Sequence, residues 1–453
     1  MQNSAYFKKG TPYLIAVIIT FLGYYYFAYE LIRGNFNSLI VCYTGLFLLF
    51  IYLNKKDVSW KTLVILTVLF RIVFIISTPN LSQDFYRFIW DGRILFEGLN
   101  PYLSLPESFI KQGTQPISDT YRLYAGMGEM NGSHYTNYPP INQLCFLIAA
   151  LLASKSLFSS ILVLRVIIIM ADIGILYFGR KLLASLNLPK KNIYWYALNP
   201  FIIIEMTGNL HFEPVMLFFL VWSLYKLYKQ KWMLSALLLA CSISVKLIPL
   251  LMLPIFYQWF VRKDQNWSKS FKKLSFFYTI VLLTIIFLFL PFYTPEFLEN
   301  YSNSISLWFR NFEFNASFYY IFRKIGYYFS GYNEIAVIGK ITPLLTFMFI
   351  MILTFVRKNN TMIAFITASL FALCFYYFTA STVHPWYLAT PLFLSIFTKY
   401  RFPIVWTIVV IFSYQAYSNI PWKENLWFVT LEYGILFGFL IFELRKTSNI
   451  IKL

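Results

Sequence analysis

Apolar runs with almost no charge recur from one end of this chain to the other, and they restrict it to one kind of fold. From Pro12 to Ala28 there is no Asp, Glu, Lys or Arg, and similar blocks follow along the whole length. Stretches of about 18 or more such residues read as bilayer-spanning helices. Composition agrees: 59% of the 453 residues are hydrophobic and 13% are charged. Soluble domains average about 45–50% and about 25%. A water-soluble core cannot hide this much apolar surface. The expected fold is an all-α, polytopic membrane protein. Spans fall near 12–32, 37–53, 60–78, 140–157, 158–180, 193–207, 214–230, 232–245, 247–261, 274–292, 335–356, 361–380, 385–398, 403–419 and 427–444.

The net charge of +19 is explained by where the charges sit. Lys8 and Lys9, Lys55 and Lys56, Arg180 and Lys181, Lys190 and Lys191, Arg262 and Lys263, Arg357 and Lys358, and Arg445 and Lys446 form short clusters between apolar blocks. Such clusters mark the cytoplasmic ends of spans, and no basic domain remains for nucleic acid. The layout puts both termini in the cytoplasm and six segments outside: 79–139, 208–213, the point at Lys246, 293–334, 381–384 and 420–426. Parity requires that either 140–157 or 158–180 fails to cross, giving about 13–14 transmembrane helices. No repeat or linker divides the chain, so 1–453 is expected to be one membrane-embedded unit. The four cysteines lie in apolar runs without metal-ligand spacing and read as small buried hydrophobes.

The unusual polar residues fall on the outer side. His134, His211 and His384 are all there, as is Lys246, which lies between two short half-spans, 232–245 and 247–261, the second carrying Pro249 and Pro254. A lysine in such a setting requires pairing or hydration, and its compact ammonium suits a phosphate. Residues 84–96 read as an amphipathic helix on the outer surface, with Asp84, Arg87 and Asp91 on one face. Asn100-Pro101 ends it. Arg165 and Asp172, seven apart inside an apolar run, are expected to pair with each other. Glu205 and Glu213 bracket a turn.

Several blocks together resemble the GT-C superfamily of membrane glycosyltransferases, with bacterial polyprenyl-phosphate-mannose-dependent mannosyltransferases the nearest likeness. They are Asp84-Phe85-Tyr86-Arg87-Phe88-Ile89-Trp90-Asp91-Gly92-Arg93, Asn100-Pro101-Tyr102, Tyr138-Pro139-Pro140, Asn199-Pro200, Gly208-Asn209-Leu210-His211, Val245-Lys246-Leu247-Ile248-Pro249 and His384-Pro385-Trp386-Tyr387. The resemblance implies a hexosyltransferase, with 79–139 as its outer catalytic loop and 293–334 as a second outer loop. It implies a polyprenyl-phosphate sugar donor, a glycan or glycolipid acceptor and inversion at the anomeric carbon. Asp84 maps to the catalytic base. Lys246, Arg87 and His384 are the candidate contacts for the donor phosphate. Asp91, Arg93, Tyr138, Asn209, His211 and Tyr387 are candidates for substrate binding. No cofactor is fixed by the resemblance, and dependence on a divalent metal is left open: Gln83-Asp84 lacks the second acid of an Asp-x-Asp pair that would support one. A lipid-linked sugar flippase, or a polymerase or ligase using lipid-pyrophosphate donors, would also gather charge on an outer face.

Overall fold

The computed structural model describes residues 2–56, 58–153, 155–261, 266–310 and 312–451. Arg262 and Lys263 of the basic clusters lie outside the described residues, and so do the side chains of Lys8 and Lys9. The described residues contain no strand; one isolated bridge joins Phe314 to Thr382. The chain is an all-α, multi-pass membrane protein. Its helices begin α1 (Gln2–Tyr29), α2 (Phe36–Lys55), α3 (Trp60–Ile72) and α4 (Asp84–Phe96). Then come α5 (Pro106–Lys111), α6 (Thr120–Gly132), α7 (Pro140–Ala153) and α8 (Leu157–Ser185). The later long helices are α9 (Glu213–Tyr228), α10 (Trp232–Ile243), α11 (Trp267–Phe289), α12 (Pro295–Arg310), α13 (Phe318–Ser330), α14 (Ile335–Phe355), α15 (Met362–Thr379) and α16 (Leu426–Ile451).

Seven described helices are long and apolar enough to cross a membrane: Thr11–Tyr29, Phe36–Lys55, Leu157–Ser185, Trp267–Phe292, Ile335–Phe355, Met362–Thr379 and Leu426–Lys446. An eighth span would be the pair Ile202–Gly208 and Glu213–Tyr228, bent by 110° at its break. Four further apolar helices, Pro140–Ala153, Trp232–Ile243, Ile248–Phe260 and Phe402–Ser418, are shorter. The sequence therefore counts more spans than there are long helices, because several apolar blocks are cut short. Pro249 and Pro254 keep 248–255 in a tight 3-10 helix, since proline cannot donate to an α-helical ladder. The structure also separates the two segments that parity left open. At 1.5 Å per residue, the 14 residues of α7 extend about 21 Å, short of a bilayer core of about 30 Å. The 29 residues of α8 are ample.

Two buried arginines lock the helices together, and here one expectation is corrected. Arg165 and Asp172 do not pair. Arg71 donates its Nε to Asp172 Oδ2 at 2.8 Å and its Nη1 to the carbonyls of Ala197 and Thr67 at 2.7 and 3.0 Å. Tyr196 donates its hydroxyl to the other Asp172 oxygen. Arg165 instead donates to four carbonyl oxygens, those of Ile75, Ser77, Thr207 and Gly208, at 2.7–3.0 Å. Thr67 is one turn back within α3, but Ala197 and the four Arg165 acceptors are at helix breaks, where backbone acceptors lose their ladder partners. A five-donor guanidinium satisfies several at once.

Helix α4 has the predicted limits, but it does not lie on a surface. Arg87, Phe88, Trp90, Asp91, Gly92 and Arg93 are all buried, because α6 and α7 pack over the helix. Gly92 permits this closeness: a Cβ there would lie 2.2 Å from the Phe146 carbonyl oxygen. The four cysteines are free thiols, two of them buried and two half-buried.

Candidate functional site

Six segments that the charge pattern places on one side converge on a single cavity of about 770 Å³. Asp84 and Tyr138 come from 79–139, His211 and Glu213 from around 208–213, and Lys246 from its own break. Phe312, His384 and Trp422 come from 293–334, 381–384 and 420–426. The turn between α1 and α2 adds Arg33. Much of the remaining wall is apolar, including Ile248, Leu250 and Leu251 and, from α14, Phe347 and Ile350.

Asp84 opens α4, and its backbone N–H is capped by Ser82 Oγ at 3.3 Å. Asn131 Nδ2 lies 3.5 Å from its Oδ1. Burial pushes the Asp84 carboxyl above its ordinary pKa, while Lys246, Asn131 and Arg33 pull it back. Lys246 follows the end of α10 and forms an ion pair with Glu213 at the start of α9. Glu213 is buried, and its second carboxylate oxygen has no hydrogen-bond partner. The pairing that a lysine in an apolar run requires is therefore met by a carboxylate the sequence reading took only as a turn flank.

Trp386 sits between two histidines. Its ring is 3.9 Å from that of His211 and 4.4 Å from that of His384, tilted by 17° and 3°. Two near-parallel rings this close to one centroid would overlap if they shared a face, so they cover opposite faces. The far side of His384 stacks on Phe314 at 5.2 Å, and Tyr387 meets His384 edge-on. Burial, then Lys246 and Arg33, lower the pKa of His384 to about 3. That shift favours the neutral form of the imidazole.

Asp84, Tyr138, His211, Lys246, His384 and Tyr387 all line the cavity. Arg87, Asp91, Arg93 and Asn209 are not among its lining residues. Arg87 closes on Asp91, one helical turn away, at 2.8 Å, and donates to the carbonyls of Asn131 and His134. The second Asp91 oxygen accepts from Gln143 at 3.1 Å. Arg93 binds Ser118, Asp119 and the Lys155 carbonyl. Asn209 accepts from the Leu81 N–H and donates to the Ile204 carbonyl. These four brace the loops that carry the lining residues. His134 also lies outside the lining, its ring against Ser133 Oγ. Arg33 and Glu213 were missed by sequence reasoning. The available signal was a lone arginine in a short turn on the side opposite the basic clusters. Among the described residues no three His, Cys, Asp or Glu side chains are grouped as a metal site.

A search of the curated proteins found no match to the chain. Residues 24–262 match the family described as alpha-(1->6)-mannopyranosyltransferase, N-terminal domain. That stretch is more than half of the chain and contains Arg33, Asp84, Tyr138, His211, Glu213 and Lys246. On that match, the chain belongs to the alpha-(1->6)-mannopyranosyltransferase family and is a membrane glycosyltransferase, acting between a sugar donor and an acceptor.

Proposed function

We propose that this enzyme moves mannose from a polyprenyl-phosphate donor to a glycan or glycolipid acceptor, with inversion, in the manner of the GT-C enzymes. The reaction is assigned to the outer face of the cytoplasmic membrane, with both termini in the cytoplasm, following the distribution of basic residues. The observation that carries the reading is that Asp84 and Lys246 border one cavity whose other wall is apolar and reaches the protein surface through Leu250 and Phe347. A lipid-linked sugar needs both parts: an apolar wall for its chain and a polar end for its reacting bond. In this scheme the acceptor hydroxyl gives its proton to the Asp84 carboxylate as its oxygen bonds to the anomeric carbon. The bond from that carbon to the phosphate oxygen breaks, and the phosphate leaves with the electron pair. Its growing negative charge is met by a cation, for which Lys246 is available once it exchanges Glu213 for the phosphate. Tyr138, His211 and Tyr387 border the space for the sugar.

The test is turnover with polyprenyl-phosphate mannose in nanodiscs. Asp84→Asn retains the side chain's size but cannot take a proton, and should slow turnover by about 10²–10⁴-fold with donor affinity little changed. Asp91→Asn breaks the buried pair with Arg87, and should lower thermal stability more than turnover per folded molecule. Near-normal turnover in Asp84→Asn would remove that residue from the role of base.

A further inference from the structure

Among the described residues two cations border the cavity, Arg33 and Lys246, and they differ in what already holds them. The charge of Lys246 is balanced by the buried carboxylate of Glu213. Arg33 has no such partner: among the described residues no carboxylate lies within ion-pair distance of it. Its Nη1 donates to a neutral acceptor, Gln83 Oε1, at 3.3 Å. Its Nε is buried without any hydrogen-bond partner. The guanidinium plane rests on Tyr417, with Cζ 3.2 Å from the ring centroid. A guanidinium carries five donors in a fixed fork; one goes to Gln83, the Tyr417 hydroxyl takes a second contact, and the buried Nε is left over. Stacking on an aromatic ring fixes the plane without using the fork. Its weaker hydration makes it easier than an ammonium to bring against a phosphate.

We propose that Arg33 is the anion contact of this cavity, the side chain that receives the phosphate of the lipid donor. The assignment rests on the donor class argued above. It reverses the order of the two cations: Arg33 meets the phosphate directly, and Lys246 joins only as far as Glu213 releases it. Because the phosphate gains charge as the sugar departs, Arg33 should bind the free lipid phosphate more strongly than it binds the sugar-bearing donor. Arg33 reaches the cavity from the turn between α1 and α2, so an anion held there also ties that turn to the start of α4 through Gln83.

The experiment uses the full chain in nanodiscs and two probes, farnesyl phosphate and farnesol, which share a lipid chain and differ in the phosphate. Binding is followed by tryptophan fluorescence, since Trp386 and Trp422 line the cavity. The wild-type protein should prefer the phosphate. Arg33→Gln should lose roughly 10- to 100-fold in affinity for farnesyl phosphate, the usual cost of a charge-assisted contact, and keep its affinity for farnesol. Arg33→Lys should recover part of the difference, and Glu213→Gln, which frees Lys246, should bind the phosphate more tightly. Equal loss for both probes in Arg33→Gln would mean that Arg33 only supports Gln83 and Tyr417, and would overturn the proposal. So would unchanged binding of farnesyl phosphate, or a wild-type protein that does not distinguish the probes. If Arg33→Gln fails to fold, Arg33→Lys decides by the same ratio. Mannose transfer by the wild type is measured in parallel: absence of transfer with intact phosphate preference would count against the donor reading and leave Arg33 as an anion site.

Discussion

Gly92→Ala probes how closely α4 must lie against α7. The new Cβ would be 2.2 Å from the Phe146 carbonyl oxygen and 2.6 Å from its carbon, where ordinary contact begins at 3.4 Å. The obstacle is backbone, so no side-chain rotation relieves it. The helices would have to separate by 3.4 − 2.2, about 1.2 Å. The Gln143–Asp91 hydrogen bond, now 3.1 Å, would stretch toward about 4.3 Å and be lost. The Phe88–Phe146 stack, now 4.8 Å between centroids, would open with it. Overpacking costs about 1–3 kcal/mol, and stranding a buried carboxylate oxygen adds about 1–3 kcal/mol. The expected loss is about 2–6 kcal/mol, partly offset by alanine's better helix propensity of about 1 kcal/mol. Because α4 begins with Asp84, a shift near 1 Å should also cost about 10²-fold in turnover. The assay is thermal denaturation in detergent together with turnover in nanodiscs, with Gly45→Ala as control, since nothing lies within 4 Å of a Cβ there. If Gly92→Ala melted and worked like Gly45→Ala, the α4–α7 contact would not be as tight as argued.

Other outcomes follow from the same structure. Arg165→Met strands four carbonyls at two helix breaks and should leave little folded protein by size-exclusion chromatography; a monodisperse, active variant would contradict its bracing role. Arg71→Met leaves Asp172 buried without its cation and should cost about 3–5 kcal/mol, seen as a lower melting temperature that Asp172→Asn in the same chain partly restores. Burial raises the Asp84 pKa, and a base works only when ionised. Turnover should therefore fall on acidification at a pH above the free-aspartate value of about 3.9. The stability sign is opposite: a carboxyl whose folded pKa is raised favours the folded state below its unfolded pKa, and that contribution fades as pH rises through the folded value. A pH–rate profile with no acid limb above the free-aspartate range would count against Asp84 as base.

The limits of α4 were legible because Asp84, Arg87 and Asp91 share a helical face and Asn100-Pro101 marks a break beyond it, although the turn that ends the helix is made by Gly98 at a positive φ of 77°. Its burial was not, because the elements that cover it, α6 and α7, lie 24 or more residues further along and carry no local mark of where they will pack. Arg165 and Asp172 illustrate a different limit. Spacing put them on one face, yet each found a stronger partner far away in sequence, Arg165 at two helix breaks and Asp172 at Arg71. Lys246 was conspicuous as a charge in an apolar run, but the carboxylate that pairs with it sits 33 residues away. His211 and His384 reach the cavity while His134 does not, a distinction that depends on how the loops fold back. Arg33 looked like an ordinary turn residue, and only the cavity gives it a particular setting.

The stack of His211, Trp386 and His384 has a consequence for how a sugar is read. Proteins that hold sugars against tryptophan use the open ring face, which attracts the C–H bonds of one side of the pyranose. Here both faces of Trp386 are covered by imidazoles. A sugar in this cavity therefore cannot lie flat on Trp386 and meets that side chain only at its rim. Rims and polar groups sense the direction of individual hydroxyls, so an epimer with one hydroxyl inverted would be told apart by a misplaced hydrogen bond, with little change in the apolar contact.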